Sequence, residues 1–169
     1  MNIREASADD ASAIASIYKH FIVNTAITFE ESEVPESGMA QRIADVNAAG
    51  LPWLVVEVDQ AIVGYAYATK WRVRHAYRYS VESTVYLLPS KAGRGIGSAL
   101  YSALIERLRN AGYHLVIGGI ALPNAGSIAL HEKLGFEQVA HFREVGFKFD
   151  RWIDVGYWQL ALSPVHAGR

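Results

Sequence analysis

Between Val81 and Leu108 a strand, a glycine turn and a helix follow one another in a spacing that leaves few alternatives. Val81 to Leu88 is rich in strand formers, and Pro89 closes the run because proline has no N–H to give to a ladder. Gly93-Arg94-Gly95-Ile96-Gly97 comes next, and Ile96, Leu100, Leu104 and Leu108 then repeat every four residues. That repeat predicts one apolar stripe on a helix ending near Gly112. A strand that enters a helix through such a turn aims backbone N–H groups and the positive helix end at an anion, above all a phosphate. Glycine keeps the approach open. The spacing is not the six-residue dinucleotide fingerprint, and no Gly-Lys-Ser/Thr follows as in a P-loop. By itself the turn reads equally well as tight packing.

The flanking segments predict a mixed α/β domain. Ile3 and Arg4 begin a short strand, and Ser7-Ala8-Asp9-Asp10 caps a helix carrying Ile14, Ile17, Tyr18 and Phe21. Met39, Ile43 and Val46 recur at helical spacing until Gly50. Residues 53–58 and 61–68 read as two strands joined by the tight turn Asp59-Gln60. Tyr113 to Ile120 reads as a buried strand, Asn124 to Leu134 as a short helix ended by Gly135, and two late strands are expected at Gln138 to Val145 and Val155 to Leu162. The expected order is β-α-α-β-β-β-α-β-α-β-β, with fraying from Ser163 onward.

A chain of 169 residues suits one domain, which at this size hides roughly 70% of its unfolded surface. The net charge of −1 offers no broad attraction to nucleic acid or an anionic membrane, so anion binding must come from local clusters. The absence of cysteine removes disulfides and thiolate chemistry and fits a reducing compartment. The N-terminus lacks the apolar core of a signal peptide and charges interrupt every apolar run, so a cytoplasmic location is the expectation. His20, His75, His114, His141 and His166 show no metal-ligand spacing, and no metal is expected.

Glu82 sits among Val81, Val85, Tyr86 and Leu87 in a strand that reads as buried, where a carboxylate needs a partner or a raised pKa. It can serve as a general base, or as a structural ion-pair partner of Arg72, Arg74 or Arg78. Trp71, Arg72, Arg74, Tyr77 and Arg78 gather guanidinium groups and aromatics within eight residues. Guanidinium forks match carboxylate and phosphinate oxygens, so the segment is an anion-binding pocket or a solvated basic loop. Asn124 suits a helix N-cap. His131, alone on its helix, is a packed residue or an acid–base group. Trp152, Tyr157 and Trp158 suit core or a dimer contact.

Two motifs together resemble the GNAT N-acetyltransferase superfamily: the strand-turn-helix around Gly95 and Gly97, and the run Asn124-Ala125-Gly126-Ser127-Ile128-Ala129-Leu130-His131-Glu132-Lys133-Leu134-Gly135-Phe136. Residues 71–78, 81–86 and 147–159 are similar to the phosphinothricin and methionine sulfoximine N-acetyltransferases, and the likeness runs nearly end to end. The resemblance implies a twisted, mostly antiparallel sheet flanked by helices and splayed where acetyl-CoA inserts. It implies acetyl transfer to the α-amine of a small amino acid, with Glu82 as base and His131 as a further catalytic group. Main-chain groups of Val85, Tyr86 and Leu87, the turn Gly93, Arg94, Gly95, Ile96, Gly97 and Ser98, and Asn124 and Ser127 would hold the cofactor. Trp71, Arg72, Arg74 and Tyr77 would bind the amino acid, and a homodimer with the C-terminal segment near its interface is expected. Ala92 stands where the family carries Gln or Arg, so one side-chain contact to the pyrophosphate is missing, with Arg94 and Lys91 as nearby cations. The rival readings are an acetyltransferase for another amine, such as a polyamine, peptide N-terminus or aminoglycoside, and a non-catalytic acyl-CoA-binding module.

Overall fold

The computed structural model describes residues 1–162, so the fraying expected from Ser163 lies outside the described residues. The elements run β1 (Asn2–Glu5), α1 (Ala11–Asn24), α2 (Glu36–Ala48), β2 (Trp53–Val58), β3 (Ala61–Lys70), β4 (Ser80–Leu87), α3 (Ile96–Asn110), β5 (Leu115–Ala121), α4 (Ala125–Lys133), β6 (Glu137–Lys148) and β7 (Arg151–Ala161). This is the order the sequence predicts. The strands form one seven-stranded sheet ordered β1-β2-β3-β4-β5-β7-β6. Every neighbouring pair is antiparallel except β4 and β5.

The apolar stripes end up where their periods place them. Ile14, Ile17, Tyr18, Phe21 and Ile22 of α1 are buried, as are Met39, Ile43 and Val46 of α2 and Ile96, Leu100, Leu104 and Leu108 of α3. α1 packs on α2, β3 and β4, and α3 on β2, β3 and β4. Ser7 and Asp10 form the reciprocal capping box ahead of α1, and Arg4 reaches both Asp10 oxygens at 2.8 Å. In the core Trp53 stacks on Tyr67 with ring centroids 4.1 Å apart.

Two features of this frame create the cleft. β4 and β5, being parallel, are joined through α3 rather than by a hairpin. They pair only over residues 80–82 and 115–117 and then part, so residues 83–87 of β4 lose their neighbour on that side. The second feature is the β6–β7 hairpin, which is longer than the sequence predicts: β6 continues to Lys148 and β7 starts at Arg151. It turns on Phe149 and Asp150, with φ of 53° and 55°, the left-handed pair of a type I′ turn built without glycine. A bulge between Phe142 and Gly146 carries Glu144 at φ 51°, and its N–H donates to Asp154 Oδ1 at 2.8 Å.

Candidate active site

Three cavities that share lining residues run through the splay between β4 and β5. The largest, about 470 Å³, lies between the glycine turn and α4. Gly93 and Gly95 adopt φ of 74° and 79°, and a Cβ on either would meet nothing within 4 Å. Glycine is therefore required there for conformation, not for space. Gly95 is the N-cap of α3, so the free N–H groups and positive pole of that helix face the cavity mouth. Gly93, Gly95, Gly97 and Ser98 line this cavity, with Val85, Tyr86 and Leu87 from the free edge of β4. Asn124 and Ser127 complete the set, and Asn124 Oδ1 accepts from Ser127 N at 3.1 Å, the N-cap role read from its position.

Two residues of the expected cofactor set do not line the cavity, which leaves their main-chain N–H groups as the expected donors. Arg94 is exposed and does not line the cavity, and the Ile96 side chain is buried in the apolar stripe of α3. Gly126, Ala129, Leu130 and Lys133 do line it, spaced so that they form one face of α4. Ala92 lines the same cavity, and Lys133 is the one cation among its lining residues. The Lys133 ammonium makes no hydrogen bond or ion pair among the described residues.

The smallest cavity, about 80 Å³, lies where β4 and β5 part, and residues 83–86, 119–121, Ser127 and His131 line it. His131 is 3% exposed. Its Nδ1 lies 2.8 Å from the Ser127 carbonyl oxygen, which can only accept, so Nδ1 carries the proton and Nε2 faces the Tyr101 hydroxyl at 3.1 Å. Tyr101 in turn lies 2.6 Å from Ser83 Oγ. Burial holds the imidazole pKa below its ordinary value, against the Ser127 bond that raises it. A Cβ on Gly118 would sit 2.5 Å from Nε2, so this strand glycine makes room for the ring.

The third cavity, about 290 Å³, holds Glu82 with Thr84, Tyr18, Tyr67, Tyr86 and Tyr157, and Ile27, Thr28 and Phe29 close it from the α1–α2 loop. Burial raises the Glu82 pKa above the ordinary carboxylate value, and the Arg72 charge offsets part of that rise. No ion pair engages Glu82 among the described residues, which removes the structural reading in its simple form. A Cβ on Gly119 would lie 3.4 Å from Glu82 Oε1 and 3.1 Å from the Tyr157 ring. The two glycines of β5 thus seat the two candidate catalytic side chains.

The arginine segment divides. Trp71 meets Tyr157 edge-on at 5.7 Å between centroids, and the Arg72 guanidinium stacks over Trp71 at 4.7 Å. Neither lines a cavity itself, but both stand beside the third one, Trp71 through Tyr157 and Arg72 through its charge on Glu82. Arg74 and Tyr77 are exposed, and neither lines a cavity described above. The sequence reading gave no site role to Tyr101, Ser83, Lys133 or the loop residues, and it read Tyr157, which lines the third cavity, as core or a dimer contact. The Gly118-Gly119 pair inside an otherwise apolar strand was the available signal for two of their neighbours.

No group of three or more His, Cys, Asp or Glu side chains among the described residues could hold a metal, and no helix there is long and apolar enough to cross a membrane. The chain is matched by the acetyltransferase (GNAT) domain family over residues 3–156. It is 40% identical to a phosphinothricin N-acetyltransferase of Alcaligenes faecalis over 98% of this chain and 83% of that protein. It is 38% identical to an L-methionine sulfoximine/L-methionine sulfone acetyltransferase of Salmonella typhimurium over 96% of this chain and 95% of that one. A phosphinothricin acetyltransferase of Sinorhizobium meliloti, solved in complex with acetyl-CoA, superposes with a TM-score of 0.94 at 38% identity, covering 99% of this chain and 91% of that one. With the splayed sheet, the glycine turn and the α4 motif in one cleft, the chain belongs to the GNAT acetyltransferase family and is an acyltransferase.

Proposed function

We propose that this protein transfers the acetyl group of acetyl-CoA to the α-amine of a small amino acid of the phosphinothricin, methionine sulfone or methionine sulfoximine type. The observation that carries the reading is Glu82: a half-buried carboxylate without an ion-pair partner among the described residues, at the acceptor end of a cleft whose other end is the glycine turn. Acetyl-CoA, when bound, supplies an activated thioester acyl group. Glycine-turn and α3 N–H groups would hold its pyrophosphate, with Lys133 standing in for the side chain that Ala92 lacks. Main-chain N–H groups on the free edge of β4 would polarise the acyl carbonyl.

Glu82 takes the proton of the ammonium so that the amine lone pair is free, directly or through water. Arg72 beside it would bind the acceptor carboxylate, and the hydroxyls of Tyr18, Tyr67, Thr84 and Tyr157 would face its side chain. His131, neutral with both ring nitrogens engaged, would act through Ser127 or Tyr101 rather than as an exposed acid. No cysteine is present to form an acyl-enzyme, consistent with direct transfer. A cytoplasmic homodimer completes the reading, because the β6–β7 hairpin exposes Phe142, Val145, Phe147, Phe149 and Trp152.

Thiol release from acetyl-CoA, measured across an acceptor panel, tests the proposal. Turnover is expected on phosphinothricin, methionine sulfone or methionine sulfoximine, and not on polyamines, peptide N-termini or aminoglycosides. Absence of turnover on all three amino acids would overturn the substrate class, and turnover confined to the cationic amines would establish the rival.

A further inference from the structure

We propose that Lys148 is a positioning residue for the acceptor end of the cleft, fastening the α1–α2 loop, residues 25–35, to the end of β6. It is one of the largest fully buried side chains of the protein, at 2% exposure, and no carboxylate pairs with it among the described residues. A buried ammonium is tolerated only where fixed acceptors surround it. Here Nζ donates to the carbonyl oxygens of Ile22 at 2.7 Å and Thr28 at 2.8 Å, and lies 5.0 Å from the Phe149 ring centroid. Burial lowers its pKa, while the charges of Glu30 and Glu31 counter that shift.

The two carbonyls belong to different structures, and this makes the lysine a fastener. Ile22 lies in the last turn of α1, where carbonyls have no helical partner and a cation is favoured by the helix dipole. Thr28 lies in the loop, and its hydroxyl lies 2.7 Å from that of Tyr18, which lines the acceptor cavity. Two residues before Lys148 on the same face of β6, a Cβ on Gly146 would fall 2.3 Å from the Phe29 ring, so Gly146 seats Phe29. β6 therefore grips two adjacent loop residues, one by its main chain and one by its side chain. Without the ammonium, the Ile22 and Thr28 carbonyls lose this donor inside the fold, and the wall made by Ile27, Thr28 and Phe29 loses its anchor.

The inference rests on reading that cavity as the acceptor site, and the test separates the two. In the full chain, Lys148→Met is expected to raise the KM for an accepted amino acid about tenfold, with kcat and the acetyl-CoA dissociation constant changed less than about twofold. Leu108→Ala, a core truncation in α3, controls for lost stability and is expected to lower Tm without moving that KM. Because the chain has no cysteine, Lys148→Cys can be aminoethylated with 2-bromoethylamine at that one thiol, and this is expected to restore the KM. Hydrogen exchange in residues 25–35 is expected to accelerate about tenfold in Lys148→Met whatever the acceptor is. An unchanged acceptor KM, failure of aminoethylation to restore it, or unchanged exchange would overturn the role of Lys148. If the wild-type chain acetylates no amino acid, the acceptor reading fails, while the exchange measurement still decides whether Lys148 fastens the loop.

Discussion

Glu82 shows at the scale of one residue how function and stability oppose each other. Burial raises its pKa and Arg72 opposes part of the shift, so the fold favours the protonated form. In its proposed base role Glu82 must be ionised to act, which places the rising limb of kcat/KM above the ordinary carboxylate range. Glu82→Gln is expected to lower kcat/KM by about 10²-fold at neutral pH, to lose that limb, and to recover partly as alkali frees more of the amine. The stability effect has the opposite sign. A carboxyl group whose pKa is raised by folding contributes stability below its unfolded value and loses that contribution as pH rises through the folded value. Glu82→Gln should therefore melt above wild type at pH 7 to 8, and the gap should close as pH falls below the unfolded carboxylate value. Thermal melts across that range check the sign, and an unchanged pH–rate profile would remove Glu82 from the base role. The residue was legible in the sequence because a lone carboxylate in an apolar strand demands an explanation. The state of His131 was not, since it depends on Tyr101, Ser83 and Gly118, which are distant in sequence and meet only when β4, α3, β5 and α4 pack.

Among elements, the helices and inner strands were readable because each is bounded by a local signal: Ser7 and Asp10 ahead of α1, Pro89 after β4, the glycine turn before α3, and Asn124 and Gly135 around α4. The extents of β6 and β7 were not, because Asp150 is the lone turn former in their turn, Phe149 beside it and Glu144 at the bulge carry no turn signature, and no glycine marks these positive-φ positions. The cation that lines the glycine-turn cavity was not legible for a similar reason. Arg94 is adjacent to the turn in sequence, yet it is Lys133, at the end of the α4 face formed by Gly126, Ala129 and Leu130, that lines the cavity. Helical periodicity, not chain proximity, decides which charge lines the cavity. Lys133→Ala is expected to weaken acetyl-CoA binding about tenfold by calorimetry, and Arg94→Ala about twofold or less. The reverse ranking would return the contact to the turn.

For the whole molecule, the sheet is open at its centre and sticky at its edge. The centre opens because β4 and β5 part after three paired residues, which makes room for the cleft. The edge is the β6–β7 hairpin, where Phe147 and Trp152 pack at 4.9 Å between centroids yet stay 51% and 62% exposed, with Phe142, Val145 and Phe149 also in solvent. An apolar row of this kind is rarely left uncovered in a soluble monomer, and a second copy of the chain is the cover the homodimer reading supplies. The row reaches the cleft, since Phe142 meets Tyr157 edge-on and Tyr157 meets both Trp71 and the acceptor cavity. Covering the hairpin would therefore also brace the acceptor wall. Trp152→Asp, a change at a side chain that is already exposed, should leave the fold and Tm nearly intact while placing a charge in the interface. On the proposed homodimer, wild type is expected to sediment as a dimer at micromolar concentration and Trp152→Asp as a monomer, with the KM for the amino acid raised while acetyl-CoA affinity holds; a wild type that sediments as a monomer would overturn the homodimer. A Trp152→Asp protein that sediments as wild type would show that the hairpin is not the dimer contact.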